Sequence, residues 1–241
     1  MNISGNNPEF GPGIFLPSDV SAMERFFGSD DEDAVLARTL VENAKRFGLS
    51  MTSSGTIPGQ DPLRPERLWE YMFAAKRATK GKTLECGGAS SIMPSLLAAK
   101  GHDVTTIDLN EAMVRNQESL SMALGINVRT MIADMMTLPF ETGEFDTVVS
   151  ISVIEHVSDR RTALREMSRV LRPGGELFLT FDYSTKKYEG WNPYMSAEEV
   201  NLEVSEAGLK MEPRLILPPL VIFCGSYTFA RIIATKPLEK K

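Results

Sequence analysis

Three carboxylates and a histidine stand where a side chain can meet a small ligand. Glu85 precedes the pair Gly87-Gly88, Asp108 ends the next β-rich run, Asp134 ends a third, and His156 follows the fourth. Glycines at 87 and 88 let the backbone turn sharply and come close to a ligand. An acid about 20 residues beyond such a turn is placed to accept hydrogen bonds from ribose hydroxyls. The pattern points to an adenosine-containing ligand; the competing reading is a structural strand-turn-helix with a solvated Asp108. Asp134 can accept the exocyclic amino group of an adenine while the next amide reaches a ring nitrogen and Met135 lies against the ring. His156 follows the fourth strand at the crevice and is the candidate base, unless it packs locally or caps the helix that follows.

The turn narrows the ligand further. A dinucleotide site needs G-x-G-x-x-G so that amides and a helix N-terminus face a pyrophosphate, and here Gly87-Gly88-Ala89-Ser90-Ser91 has no third glycine. No Gly-Lys-Ser/Thr follows, which excludes a P-loop. Glu85 would repel a phosphate but suits a ligand that carries an amino group and a sulfonium, and S-adenosylmethionine fits that description.

These residues need a frame of alternating strands and helices. Thr83 to Cys86 reads as a strand, and the helix after the turn has Ile92, Leu96, Leu97 and Ala98 on its apolar side, Pro94 in its first turn and Gly101 at its end. Val104 to Ile107, Val128 to Ala133, Phe145 to Ile151 and Glu176 to Phe181 are further strands, with helices over about 111–124 and 159–171. Leu171-Arg172-Pro173-Gly174-Gly175 is expected to turn the chain. Ahead of the first strand, Pro65 opens a helix to about residue 80; Trp69, Met72 and Phe73 suit the core. Arg67 and Tyr71 can reach the carboxylate of a methionine moiety or the substrate, or can be surface groups. Residues 1–65 read as an arm and a helical lid, with two helices to about Phe27 and Phe47, and residues 66–241 as the ligand-binding domain. Aromatic residues after the fifth strand, Tyr183, Tyr188 and Trp191 among them, read as a substrate-contacting loop or a folded surface turn.

A chain of 241 residues at 42% hydrophobic can bury a sizeable core as one α/β domain. Its net charge of -6 argues against broad binding to nucleic acid and favours a small-molecule or protein substrate. Cys86 and Cys224 make no metal-ligand pattern and read as reduced thiols, which suits the cytoplasm. No signal peptide or membrane span is expected.

Taken in order, LECGGAS, TTIDLN, IADMMTLPF, FDTVVSISVIEHVSD and LRPGGELFLT resemble the class I S-adenosylmethionine-dependent methyltransferases, over roughly residues 66–236. The turn is similar to a subgroup with Gly-Gly-x-x-Ser and a preceding R-x-W-E-Y helix. The resemblance implies a Rossmann-like, doubly wound seven-stranded sheet, mostly parallel with an antiparallel last strand, drawn from Lys210 to Leu217 and Ser226 to Thr235. It implies that Glu85, Gly87 and Gly88 border the methionine end of S-adenosylmethionine. Asp108 and Leu109 would hold the ribose and Asp134 with Met135 the adenine, with Ile151 and Ser152 near the reacting methyl. Some relatives bind a divalent ion through Glu-x-x-Glu-His; Ser152 stands at the first of those positions, and no metal is expected. The function implied is methyl transfer to an oxygen or nitrogen of a small molecule such as a sugar, lipid precursor or secondary metabolite. An RNA or protein methyltransferase and a non-catalytic cofactor-binding scaffold are the alternatives.

Overall fold

The structure, a computed structural model, describes residues 13–14, 17–46, 65–88, 91–184, 186, 190–211 and 227–238. In chain order these form β1 (Gly13–Ile14), α1 (Pro17–Phe27), α2 (Glu32–Arg46), α3 (Pro65–Arg77), β2 (Lys82–Cys86), α4 (Met93–Ala99), β3 (Asp103–Asp108), α5 (Glu111–Leu124), β4 (Arg129–Ile132) and β5 (Phe145–Ile151). A 3-10 turn (Ile154–His156) follows, then α6 (Arg160–Val170), β6 (Leu171–Ser184), α7 (Ala197–Glu206), β7 (Lys210–Met211) and β8 (Tyr227–Thr235). The sheet order is β1-β8-β6-β5-β2-β3-β4, with β7 also beside β8. Strands β2 to β6 pair in parallel, and β8 runs antiparallel to β6. This is the expected seven-stranded, doubly wound arrangement with one addition, the two-residue β1, which pairs with β8.

Both faces of the sheet are covered, so its central strands read as continuous apolar runs. One core joins α1 to α5 through Met23, Leu40, Trp69, Phe73, Leu97 and Phe178. The other joins α6 and α7 through Leu164, Met167, Val200 and Phe181. Helix α2 buries Ala34, Ala37, Leu40, Val41 and Ala44 in the first core. Among the described residues, the N-terminal helices therefore share a core with the sheet. A charged layer extends that packing, since Lys76 of α3 pairs with Asp31 and Asp33 at the start of α2.

Three expectations are corrected. Strand β6 begins at Leu171, because Pro173-Gly174-Gly175 form an irregularity within the strand: the register shifts between Phe145 and Thr147, and Gly174 takes φ +79°. The same strand runs on to Ser184, paired with β8 all the way to Ser184 opposite Tyr227. Tyr183 therefore lies in a strand instead of a loop. Strand alternation sends it with Leu179 and Phe181 into the α6–α7 core, whereas Phe178 faces α3. Third, the sequence reading has no helix at α7. Its signal is the box Ser196-Ala197-Glu198-Glu199: Ser196 Oγ accepts from Glu199 N at 3.1 Å, and Glu199 Oε2 accepts from Met195 N at 3.0 Å. Of the proposed C-terminal strands, residues 212–226 lie outside the described residues. Among the described residues no helix is long and apolar enough to cross a membrane.

Candidate functional site

The C-terminal ends of β2, β3 and β4 open into a cleft of about 280 Å³. Its lining includes Gly87, Asp108, Leu109, Asp134, Met135 and His156. Gly87 N donates to Ile107 O at 2.8 Å, which folds the turn back over β3. No other residue fits at 87: φ is +80°, and a Cβ there would stand 2.6 Å from a Val153 methyl. At Gly88 a Cβ would stand 1.6 Å from Glu85 Oε2.

Asp108 is half-buried, and its Oδ1 accepts from Asn110 N at 2.8 Å. Asn110 in turn caps α5 through Ala112 N. The Asp108 carbonyl accepts from Ala133 N at 3.1 Å, which brings the end of β4 alongside. Asp134 is oriented in the same local way, with Met136 N donating to its Oδ1 at 2.8 Å. Met135 is buried beside it, and Leu109 is 67% exposed at the rim. His156 is exposed on the cleft wall, its Nδ1 3.4 Å from Gly190 O.

Glu85 lies beneath the turn. It is buried and accepts a 2.5 Å hydrogen bond from Thr106 Oγ1. Burial pushes its carboxyl up to about 8; the Thr106 bond works against the rise and the nearby Asp108 adds to it.

Arg67, Ile151 and Ser152 belong to a second, drier region where α3 crosses the ends of β5 and β6. Glu70, fully buried, receives Arg67 Nη1 at 2.7 Å, Thr180 Oγ1 at 2.6 Å and the Ser152 hydroxyl. Ser152 has φ 50°, and its amide donates to both the carbonyl and the hydroxyl of Thr180. Asp182 accepts from Trp191 Nε1 at 2.7 Å. Glu155 is buried with neither carboxylate oxygen hydrogen-bonded. Tyr71 is buried in the core, so it is no surface group. Tyr188 lies outside the described residues.

The segment carrying Trp191 is folded onto the strand end. Asn192 N donates to Glu155 O at 2.6 Å, and Tyr194 exchanges backbone bonds with β6, its amide donating to Asp182 O at 3.0 Å and its carbonyl accepting from Ser184 N at 2.9 Å. Arg160 secures it from below by donating to Asn192 O at 2.6 Å, pairing with Glu203 and lying 4.1 Å from the Tyr194 ring. Glu70, Thr180 and Asp182 were not among the residues singled out from sequence. A Glu within an otherwise apolar helix face was the available signal for Glu70. Among the described residues, no group of three or more His, Cys, Asp or Glu side chains is placed to hold a metal ion.

Two carboxylates on adjacent strand ends, a turn that admits no Cβ and an apolar floor fit an adenosine-bearing cofactor, the class of site expected at the switch point of a doubly wound sheet. Comparison makes the family specific. Residues 84–179 match the family described as "Methyltransferase domain". The ubiquinone biosynthesis O-methyltransferase of Xanthomonas euvesicatoria is 32% identical over 119 residues, 49% of this chain and 49% of that protein. The chain thus spans about half the length of the curated relatives it matches. In fold it is similar to the [4+2]-cyclase SpnF (TM-score 0.61, 18% identity, 94% of this chain and 100% of that one). It is similar also to a geranyl diphosphate methyltransferase (TM-score 0.61, 16% identity, 86% and 100%). The matched region is thus similar to a methyltransferase domain.

Proposed function

We propose that this protein transfers a methyl group from S-adenosylmethionine to an oxygen or nitrogen of a small molecule. The observation that carries the reading is the shared cleft of Asp108, Asp134 and the Gly87 turn, supported by the relationship to O-methyltransferases. In this reading Asp108 with Leu109 holds the ribose, and Asp134 with Met135 the adenine. Glu85, Gly87 and Gly88 border the methionine end, which Arg67, Tyr71, Ile151 and Ser152 approach from α3 and β5. When bound, the cofactor supplies an electrophilic methyl on a sulfonium; the chain's task is to align the acceptor, exclude water and take up a proton. His156 on the cleft wall is the candidate proton acceptor, and Trp191, with Tyr188 nearby in the chain, belongs to the acceptor side. The N-terminal region is the cover of the site, and the acidic chain works in the cytoplasm on a small acceptor, away from nucleic acid.

Calorimetric titration with S-adenosylmethionine and its demethylated product tests this. Micromolar binding that Asp108→Ala abolishes supports the reading; no binding to either ligand removes it. His156→Ala is expected to lower turnover far more than cofactor affinity. Deleting residues 1–60 is expected to abolish activity, with thermal denaturation of the truncated chain separating loss of a cover from loss of the fold.

A further inference from the structure

The cleft has two walls, and they are held differently. One is the Gly87 turn with the ends of β3 and β4; the other is the run after β5, which supplies Val153, His156, Val157 and Ser158. That second wall hangs from Ser152. Its φ is 50°, and among the described residues no other residue apart from glycine has a positive φ. Left-handed backbone is unfavourable for a residue with a Cβ, and a fold keeps it where surrounding bonds over-determine it.

A closed ring of hydrogen bonds supplies that constraint. The buried Ser152 donates from its amide to Thr180 Oγ1 at 3.0 Å, and Thr180 Oγ1 donates to Glu70 Oε1 at 2.6 Å. The same Glu70 oxygen accepts from the Ser152 hydroxyl, which closes the ring. Glu70 therefore decides which way the Thr180 hydroxyl points: its proton is directed to the carboxylate, and a lone pair is left for the Ser152 amide. A second bond runs from that amide to Thr180 O at 3.1 Å, and Arg67 Nη1 holds the other Glu70 oxygen at 2.7 Å. The end of β5 is thus tied to β6 through Thr180 and to α3 through Glu70.

The turn at Ser152 has a consequence one residue later. Val153 lies against the Gly87 turn, its two methyls 2.6 and 2.7 Å from where a Cβ at position 87 would stand. The 3-10 turn starts from the same residue, since Val153 O accepts from His156 N at 2.9 Å. We propose that Glu70 and Thr180 are positioning residues for the cofactor: by holding Ser152 left-handed they seat Val153 on the Gly87 turn and fix the separation of the two walls. The assignment rests on the methyltransferase reading only in naming the occupant of the cleft. Ser152 acts here through its backbone, and no bond is made or broken.

The test is calorimetric titration of S-adenosylhomocysteine into the wild type and variants, each well below its melting temperature, where a loss of stability alone leaves affinity unchanged. Ser152→Ala removes the hydroxyl and keeps the penalty of left-handed backbone; Thr180→Val breaks the ring at its middle. Each is expected to weaken binding by about tenfold, as follows when the wall is in place for about one-tenth of the time. Thr180→Ser restores the hydroxyl and is expected to stay within about twofold of the wild type. Glycine adopts positive φ without penalty, so Ser152→Gly is expected to bind more tightly than Ser152→Ala, the reverse of what added chain entropy would give. Binding within about twofold of the wild type in both Ser152→Ala and Thr180→Val, or weaker binding by Ser152→Gly than by Ser152→Ala, overturns the proposal. Should Ser152→Ala misfold, the two Thr180 variants decide. If the wild type binds neither S-adenosylhomocysteine nor S-adenosylmethionine, the methyltransferase reading falls instead, and amide hydrogen exchange in the ligand-free protein decides the positioning role. The His156 and Val157 amides must then exchange faster in Ser152→Ala and Thr180→Val than in the wild type and Thr180→Ser; equal exchange overturns the proposal.

Discussion

The two halves of the crevice are built on opposite plans. On the β3–β4 side, Asp108 and Asp134 are partly exposed, and each is oriented by an amide two residues further along the chain. On the β5–β6 side, Glu70 is fully buried and is held by Ser152 and Thr180, 82 and 110 residues away. A carboxylate oriented by its own turn can stay wet and meet many partners, which suits a nucleoside common to many reactions. A carboxylate oriented by distant strands is fixed in place only when the whole domain is folded, which suits a group that must discriminate.

The comparison makes unequal demands on stability. Glu70→Ala strands the Arg67 charge and frees two hydroxyls in a dry site; a loss of about 3–5 kcal/mol in urea denaturation is expected. Asp134→Ala should lose less than about 1 kcal/mol in the same measurement, being partly exposed and locally bonded. Equal losses would erase the distinction.

Next in size is a pH effect from Glu85. Its carboxyl ionises near 4.5 in the unfolded chain but only at about 8 when folded, so between those values the unfolded state binds fewer protons. Stability of the cofactor-free protein is therefore greatest below that window and falls as pH rises through it, by up to roughly 5 kcal/mol. Denaturation curves across pH should show the decline, and Glu85→Gln should flatten it in part, the remainder coming from Glu155, whose shift has the same sign.

Asp134→Ala, nearly silent in stability, should still weaken S-adenosylmethionine binding by about tenfold in calorimetry, because it removes a single acceptor for the adenine amino group. The smallest effect belongs to Trp191→Phe, which deletes the 2.7 Å bond to Asp182 and keeps most of the packing. About 1 kcal/mol of stability should go with it, and a larger loss would mean that the segment holds the acid side together more than Arg160 does.

The strand-turn-helix around Gly87, the Asp108 and Asp134 positions and the parallel order of β2 to β5 were legible in the sequence because each depends on residues near in the chain: a glycine, a β-rich run, an acid at its end. Helix α7 was legible too, through its Ser196–Glu199 box, although the aromatic segment before it drew the reading toward a loop. What the sequence by itself determined is thus the β3–β4 side of the crevice. Tertiary structure alone decided that α2 belongs to the core, that β6 pairs with β8 as far as Ser184 and turns Tyr183 away from Asp182, and that Arg67, Glu70, Glu155 and Asp182 converge. Those outcomes depend on which face of β6 lies under α3. That is settled by strand pairing and the burial of Trp69, Phe73 and Phe178, a cooperative choice that no local run of residues encodes.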